Sequence, residues 1–324
     1  MKERALIGRL LAPIARSTAA RGLLDDAAVW QPPAGQALVL TKDMMAAGVH
    51  FLPDDPPAAI AAKLLRVNLS DLAAKGAVPQ GVLLGLGLPD ATPDAWIEAF
   101  VAGLGADLDH FGVALWGGDT IGGVDRVTLS LTAIGQVPSG GALGRMDARA
   151  GDTLYVTGSI GDGLLGLHAL TGEASVELLS PDERAACIAR YRCPEPRVGL
   201  GPALVGLAHA CADVSDGLLA DAGNIAEASG LKLVIDLAAV PRSPAGVRWS
   251  GADVARRLAL ATAGDDYELV FTAPASAHAA VLAVCQRFGV RVSAIGRVEG
   301  GTGVVVLDDR GRPLTVDRAG YQHG

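Results

Sequence analysis

The stretch CADVSDGLLADAGN (Cys211–Asn224) sets three carboxylates, Asp213, Asp216 and Asp221, among Val, Leu, Ala and Gly, with no Lys or Arg beside them. Its first part, ADVS, reads as a short buried strand, and from Gly217 the small and apolar residues take on helical spacing. A strand that turns through Asp and Gly into a helix belongs to a layered α/β domain. The same alternation runs outward in both directions.

Upstream, ALVLT (Ala37–Thr41) and GVLLGLGLP (Gly81–Pro89) are apolar and bounded by Gly or Pro, as buried strands are. Between them PPAAIAAKLLRVNLSDLAAKGA has helical periodicity and stops at Gly76. A helix is expected from about Thr92, with Pro93 in its first turn, followed by strands in GVALWGGDT and RVTLSLTAIGQV. These elements make a first domain, residues 1–137. PSGGALGRMDARAG (138–151) has the composition of a linker.

A second domain, 152–324, opens with the strand DTLYVTG and continues through helices around 163–170, 181–192 and 201–211. After the quoted stretch come the strand LKLVIDL, a helix from Ala252, the strand DYELVFT, a helix from Ser276 and the strand VRVSAIGRV. GVVVLDDRGRPLTV reads as a hairpin turning at residues 309–311. VNLSDLAAKG (67–76) echoes ADVSDGLLAD (212–221), either by chance or because two related halves serve one site.

A chain of 324 residues, half of them apolar, has ample material for two packed cores. Its net charge of −8 argues against nucleic acid or an anionic membrane as partner. Four cysteines without a C-x-x-C pair or clustered histidines fit free thiols in a reducing compartment. The first residues, MKERALIGRLLAPIAR, are interrupted by Arg9 and Arg16 and read as a helix rather than a signal peptide; no window has the composition of a membrane span. The cytoplasm is the expected location.

Acidic stretches recur: Asp25 and Asp26 in GLLDDAAV, Asp43 in LTKDMM, Asp71 in NLSD, Asp119 in WGGDT, and Asp265, Asp266 and Glu268 in AGDDYE. A single Asp of this kind is ordinarily a helix cap or turn former, a reading open to Asp71 and Asp216. Repetition over both halves is better explained by cations, because converging carboxylates repel one another unless positive charge fills the space. Short-stemmed Asp with hard oxygen donors suits Mg²⁺ working with water and substrate phosphates. None of the five lysines follows a glycine, which excludes a P-loop, and neither H-E-x-x-H nor G-x-S-x-G occurs.

Taken together, DDAAV, TKDMMAAGVHF, VNLSDLAAKGAVP, GGDT, GDTLYVTGSIGDG, DVSDGL and GDDYELVFT resemble, in order and spacing, the thiamine-monophosphate kinases of the aminoimidazole ribonucleotide synthetase-like superfamily. The resemblance implies an α+β subunit of two α/β-layered domains, a homodimer paired through the N-terminal domains, and ATP bound without a P-loop. It implies phosphoryl transfer from ATP to thiamine monophosphate. Carried over by position, Asp26, Thr41, Asp43, Asp71, Asp119, Asp213 and Asp216 resemble the family's Mg²⁺ ligands, with Asp43, Asp71, Asp119 and Asp216 also in catalytic positions. Gly118, Asp119, Arg145 and Ser215 match ATP-contact positions, and His50, Asp265 and Tyr321 positions that line the acceptor pocket.

The chain departs from the family pattern at Leu24, where Gly is usual, at Lys42, at Ile121, and at Asp265, one methylene shorter than the usual Glu. Asp221 is expected on the solvent or capping side. Two rivals stand beside this reading: another enzyme of the superfamily making an acyl- or imino-phosphate, for which AAGVHF and DDYELVFT are the distinguishing stretches, and a nucleotide-binding regulator without turnover.

Overall fold

The computed structural model describes residues 3–321, which divide into two compact units. The first comprises the chain through Leu72 and Ala77–Gly140; the second comprises Ala73–Gly76 and everything from Gly141. The stretch with linker composition is anchored in the second unit, where Gly144 bridges Ala210 and its carbonyl accepts from Cys211 N at 2.8 Å.

In the first unit a four-stranded sheet is built from β1 (Gln36–Ala46), β2 (Val78–Leu88), β3 (Ala114–Gly122) and β4 (Thr128–Pro138), in the order β1-β4-β2-β3. All pairings are antiparallel except β2 with β3. Helices α1 (Pro57–Ala74) and α2 (Asp94–Phe111) supply the other layer. α1 is buried almost all round, consistent with its run of Ala and Leu, and even Lys63 and Asn68 are inside. At its end Gly76 takes φ +69°, with Ala77 N donating to Leu72 O at 2.8 Å, the αL closure that favours glycine.

β1 alternates faces with period two. Leu38, Leu40 and Met44 are exposed on one face, whereas Thr41, Asp43 and Met45 are on the other.

The second unit has a six-stranded sheet, β10-β7-β9-β5-β8-β6, from β5 (Asp152–Thr157), β6 (Ala210–Asp213), β7 (Lys232–Asp236), β8 (Leu269–Pro274), β9 (Val292–Glu299) and β10 (Gly303–Leu307). Only β7 and β10 pair in parallel. The longer helices are α3 (Asp162–Thr171), α4 (Pro181–Arg192), α5 (Leu218–Ser229), α6 (Val254–Thr262) and α7 (His278–Arg287). Leu154, Val156, Leu218, Ile225, Ile235 and Val270 belong to one core, Tyr155, Leu200, Leu269, Phe271 and Val281 to a second.

Two local expectations need correction, and one helix lies outside them. The helix expected over 201–211 is only Leu200–Leu204, because Gly206 takes φ +81° and residues from Ala210 pair with β8. A helix at Pro244–Ser250 was not anticipated, although Ser243 caps it through Gly246 N at 3.0 Å and Pro244 occupies its first turn, a signal present in the sequence. The hairpin turn at 309–311 forms, with Leu314 N donating to Val306 O at 2.8 Å, but the return arm is a single bridge and β10 pairs in parallel with β7 instead.

All four cysteines are free, and burial pushes the thiols of Cys187 and Cys211 up to about 12 and that of Cys285 to about 11. Among the described residues no helix is long and apolar enough to cross a membrane.

Candidate active site

Strand β1 and helix α1 bring Thr41, Asp43 and Asp71 together. Thr41 and Asp43 project toward the helix layer, the Thr41 hydroxyl donates to Asp71 Oδ2, and Asp43 N donates to Asn68 Oδ1 at 3.1 Å. Asp71 therefore caps nothing; it sits inside α1, one turn after Asn68, with its side chain turned to β1. Burial and the neighbouring charge of Asp71 push the Asp43 carboxyl up to about 7. Two hard oxygen donors this close repel one another, and a cation would relieve that repulsion.

Of the other expected residues of this unit, Asp119 lies apart from that pair. Asp119 is exposed, and strand register puts it in the row of Gly85, Ser130 and Met44, on the opposite sheet face from Asp43. Its Oδ1 accepts Thr120 N at 2.8 Å. Gly118 has a structural reason to be glycine, since a Cβ there would stand 1.9 Å from the Leu84 carbonyl oxygen. Asp26 is exposed, its backbone N donating to Asp25 Oδ1 at 2.9 Å. His50 Nδ1 accepts Ala46 N at 3.2 Å, which leaves the ring proton on Nε2 when the imidazole is neutral.

In the second unit the quoted stretch forms the turn between β6 and α5. Asp213 ends β6 and is buried; Asp221 turns back so that one oxygen, Oδ2, accepts Ser215 N, Asp216 N and Gly217 N at 3.0, 3.1 and 3.2 Å. Asp221 is thus the turn's internal cap and is not on the solvent side. Burial first, then the charge of Asp216, pushes its carboxyl up to about 7, and Arg145 opposes that rise.

Around this turn the backbone gathers other expected residues. Asp265 N donates to Ser215 O at 2.9 Å, Tyr321 N to Asp216 O at 2.9 Å, and Tyr267 N to Val214 O at 2.8 Å. Asp265 and Tyr267 both have positive φ, +71° and +51°, and the Tyr267 hydroxyl donates to Asp265 Oδ1 at 3.2 Å. Positive φ at two non-glycine residues is uncommon and concentrates at functional sites.

The segment is held from beneath. Asp266 Oδ2 accepts Gly161 N at 2.7 Å and Oδ1 accepts Gly163 N at 3.2 Å, while Glu268 is bonded by Arg197 Nε at 2.7 Å, Arg190 Nη2 at 2.8 Å and Thr157 Oγ1 at 2.6 Å. Arg190, Arg197 and Tyr267 carry this geometry and were not singled out from sequence. Only proximity to the acidic AGDDYE motif marked Tyr267 there.

Among the described residues no three His, Cys, Asp or Glu side chains form a ready-made metal cage.

A two-unit α+β fold with carboxylate-bearing turns and no P-loop defines a class, and the comparisons agree with it. Residues 24–137 match the N-terminal domain, and 149–309 the C-terminal domain, of AIR synthase related proteins. The thiamine-monophosphate kinase of Caulobacter vibrioides is 44% identical over 322 residues, covering 98% of this chain and 90% of that protein. The Escherichia coli enzyme of that name is 40% identical, covering 93% and 91%. The crystal structure of thiamine-monophosphate kinase from Stenotrophomonas maltophilia superposes with a TM-score of 0.83 at 42% identity, over 94% of this chain and 96% of that one. AaThiL complexed with AMPPCP and TMP gives 0.77 at 28% identity, over 99% of each. The hydrogenase maturation protein HypE in complex with ATP, at 21% identity and a TM-score of 0.78, shares the fold. The chain belongs to the thiamine-monophosphate kinase family within the AIR synthase related proteins.

Proposed function

We propose that this protein transfers the γ-phosphoryl group of ATP to the phosphate of thiamine monophosphate, yielding thiamine diphosphate and ADP. The observation that carries the reading is the Asp43–Asp71 pair, two adjacent carboxylates with Thr41 between strand and helix, where burial and the charge of Asp71 raise the Asp43 carboxyl. Family membership and the AMPPCP and TMP complex of a relative support the identity of the two substrates.

The acceptor needs little activation. A phosphate monoester has a second pKa near 6, so its phosphate is mostly dianionic at neutral pH and a general base is unnecessary. An acceptor oxygen attacks the γ-phosphorus, the bond to the β–γ bridging oxygen breaks, and ADP departs with that electron pair. The obstacle is repulsion between two polyanions, so catalysis is positioning and charge stabilisation.

Magnesium, when bound, supplies the neutralising charge. Thr41, Asp43 and Asp71 are the residues we assign to it in the first unit and Asp213 and Asp216 those in the second, with Asp26 added on family grounds; Asp119, on the opposite sheet face from Asp43, would serve a separate ion. Ser215 and Arg145, with Gly118, contact the nucleotide in this reading. Asp265, Tyr321 and His50 orient the acceptor. We also propose a homodimer through the first unit, because Leu38, Leu40, Met44, Leu83 and Ile121 are exposed on its strands, and a cytoplasmic location, which the free thiols favour.

The test is direct. Purified protein with ATP, Mg²⁺ and thiamine monophosphate is expected to release thiamine diphosphate, and excess chelator to stop it. Full turnover in chelator, or hydrolysis of ATP without the diphosphate product, would overturn the assignment. Light scattering at micromolar concentration is expected to report twice the chain mass.

A further inference from the structure

A second cluster of charge in the second unit lies outside the residues assigned to the reaction. A cleft of about 280 Å³ is lined by four arginines, Arg190, Arg197, Arg242 and Arg291, facing two carboxylates, Asp162 and Glu268. In a chain of net charge −8 such a concentration of guanidinium groups is unusual.

Both carboxylates are already engaged. Glu268 is fully buried and held by Arg190, Arg197 and Thr157. Asp162 receives the hydroxyl protons of Ser159 at Oδ2 and Ser243 at Oδ1, each at 2.5 Å.

The other two arginines are not neutralised. Arg242 donates from Nη1 to neutral acceptors, Ser250 Oγ at 2.6 Å and Gly251 O at 3.2 Å. The carboxylate that acts on it, Asp309, is itself paired with Arg257 at 2.9 Å. The Arg291 side chain makes no hydrogen bond or ion pair among the described residues, while its backbone oxygen accepts Gly158 N at 2.8 Å and so fixes it at the pocket wall. Gly158 in turn has no room for a side chain, since a Cβ would lie 2.0 Å from Glu268 Oε1.

A guanidinium presents five donors in a planar fork that matches phosphate oxygens. A cleft of this size has room for a phosphate or diphosphate group. We propose that this cleft is a binding site for a small phosphate-type oxyanion, with Arg242 and Arg291 as its main ligands and the Arg190–Glu268–Arg197 cluster fixing its wall. The site is independent of the kinase reading. Free inorganic phosphate and the phosphate end of a thiamine ester share the chemistry that would be recognised.

The probe is inorganic phosphate, titrated calorimetrically into the full-length, chelator-treated protein. Saturable binding is expected, weakened about tenfold or more in Arg291→Gln, the scale of a lost charge-assisted contact. Arg242→Gln should act in the same direction, and Asp71→Asn should leave phosphate affinity unchanged. Arg291 is exposed, so its variant should melt like the parent and keep its turnover. If thiamine diphosphate displaces phosphate and its own binding falls in Arg291→Gln, the ester is the ligand; if it does not compete, free phosphate is. Absence of saturable phosphate binding in the parent protein, or equal affinity in the parent and both arginine variants, would overturn the proposal.

Discussion

The two units hold acidic groups in opposite ways. Glu268, in the second, is completely buried and is met by two arginines and a threonine hydroxyl, so its charge is compensated by the protein itself. Asp43 and Asp71, in the first, are partly buried beside each other, and the influences on Asp43 are burial and like charge. Where the chain completes the electrostatics, the carboxylate builds structure. Where it leaves them incomplete, the carboxylates are, in our proposal, kept for something that arrives with positive charge.

The largest effect should come from breaking the completed side. Glu268→Gln leaves Arg190 and Arg197 without their anion, and removing one member of a buried ion pair costs about 3–5 kcal/mol. A lowered melting temperature and a lowered yield of folded protein are expected. If the variant melts like the parent, Glu268 is not the structural acid described above. Breaking the incomplete side should do the reverse. Asp71→Asn is expected to lower turnover roughly a hundredfold or more, the scale of removing one preorganised charge-stabilising group, while leaving the melting temperature in chelator unchanged or higher, since a repulsion has been removed. Equal loss of stability in both variants would erase the contrast.

A smaller effect separates the two by pH. The Asp43 carboxyl is raised from 3.8 to about 7 in the folded protein. An acid whose folded pKa is raised binds its proton more tightly folded than unfolded, so its contribution is present at acidic pH and is lost as pH rises from about 4 through about 7. In chelator, the melting temperature of the parent relative to Asp43→Asn should therefore fall between about pH 4 and pH 7 and level off above, and saturating Mg²⁺ should restore the parent at the upper end. A pH-independent difference between the two proteins would contradict the shift.

Much of this was legible in the sequence because strands, helices and their Gly or Pro boundaries are local. The apolar runs of β1, β2 and β5, the helix start at Pro93 and the capping box at Ser180 are encoded within a few residues. What local reading misses is context. VNLSDLAAKG and ADVSDGLLAD share letters, yet Ser70 and Asp71 lie inside a helix whereas Ser215 and Asp216 lie in a turn organised by Asp221. The helix forecast over 201–211 failed because pairing with β8 recruits Ala210–Asp213. Asp119 looked equivalent to Asp43 as an acid on a strand; register across three strands, which no single stretch contains, puts it on the other face. Arg190 and Arg197, separated from Glu268 by more than seventy residues, had no local signal tying them to it.

The smallest predicted effect falls where the two kinds of acid meet, in the segment Asp265–Glu268, whose last residue is compensated and whose first is aimed at the acceptor in our reading. Asp265 holds φ +71°, so replacing it with Ala would remove the carboxylate and impose left-handed strain together. Asn tolerates that conformation and has nearly the same shape, so Asp265→Asn isolates the charge. If the carboxylate faces the cationic ring system of thiamine monophosphate, the Michaelis constant for that substrate should rise severalfold, about 1 kcal/mol for one weakened polar contact, while that for ATP stays the same. Tyr267→Phe, which deletes the hydroxyl donating to Asp265 Oδ1, should move the same constant in the same direction by less. If Asp265→Asn instead leaves both Michaelis constants alone and only Asp265→Ala lowers the melting temperature, the residue serves the turn, and the acceptor is held by other groups.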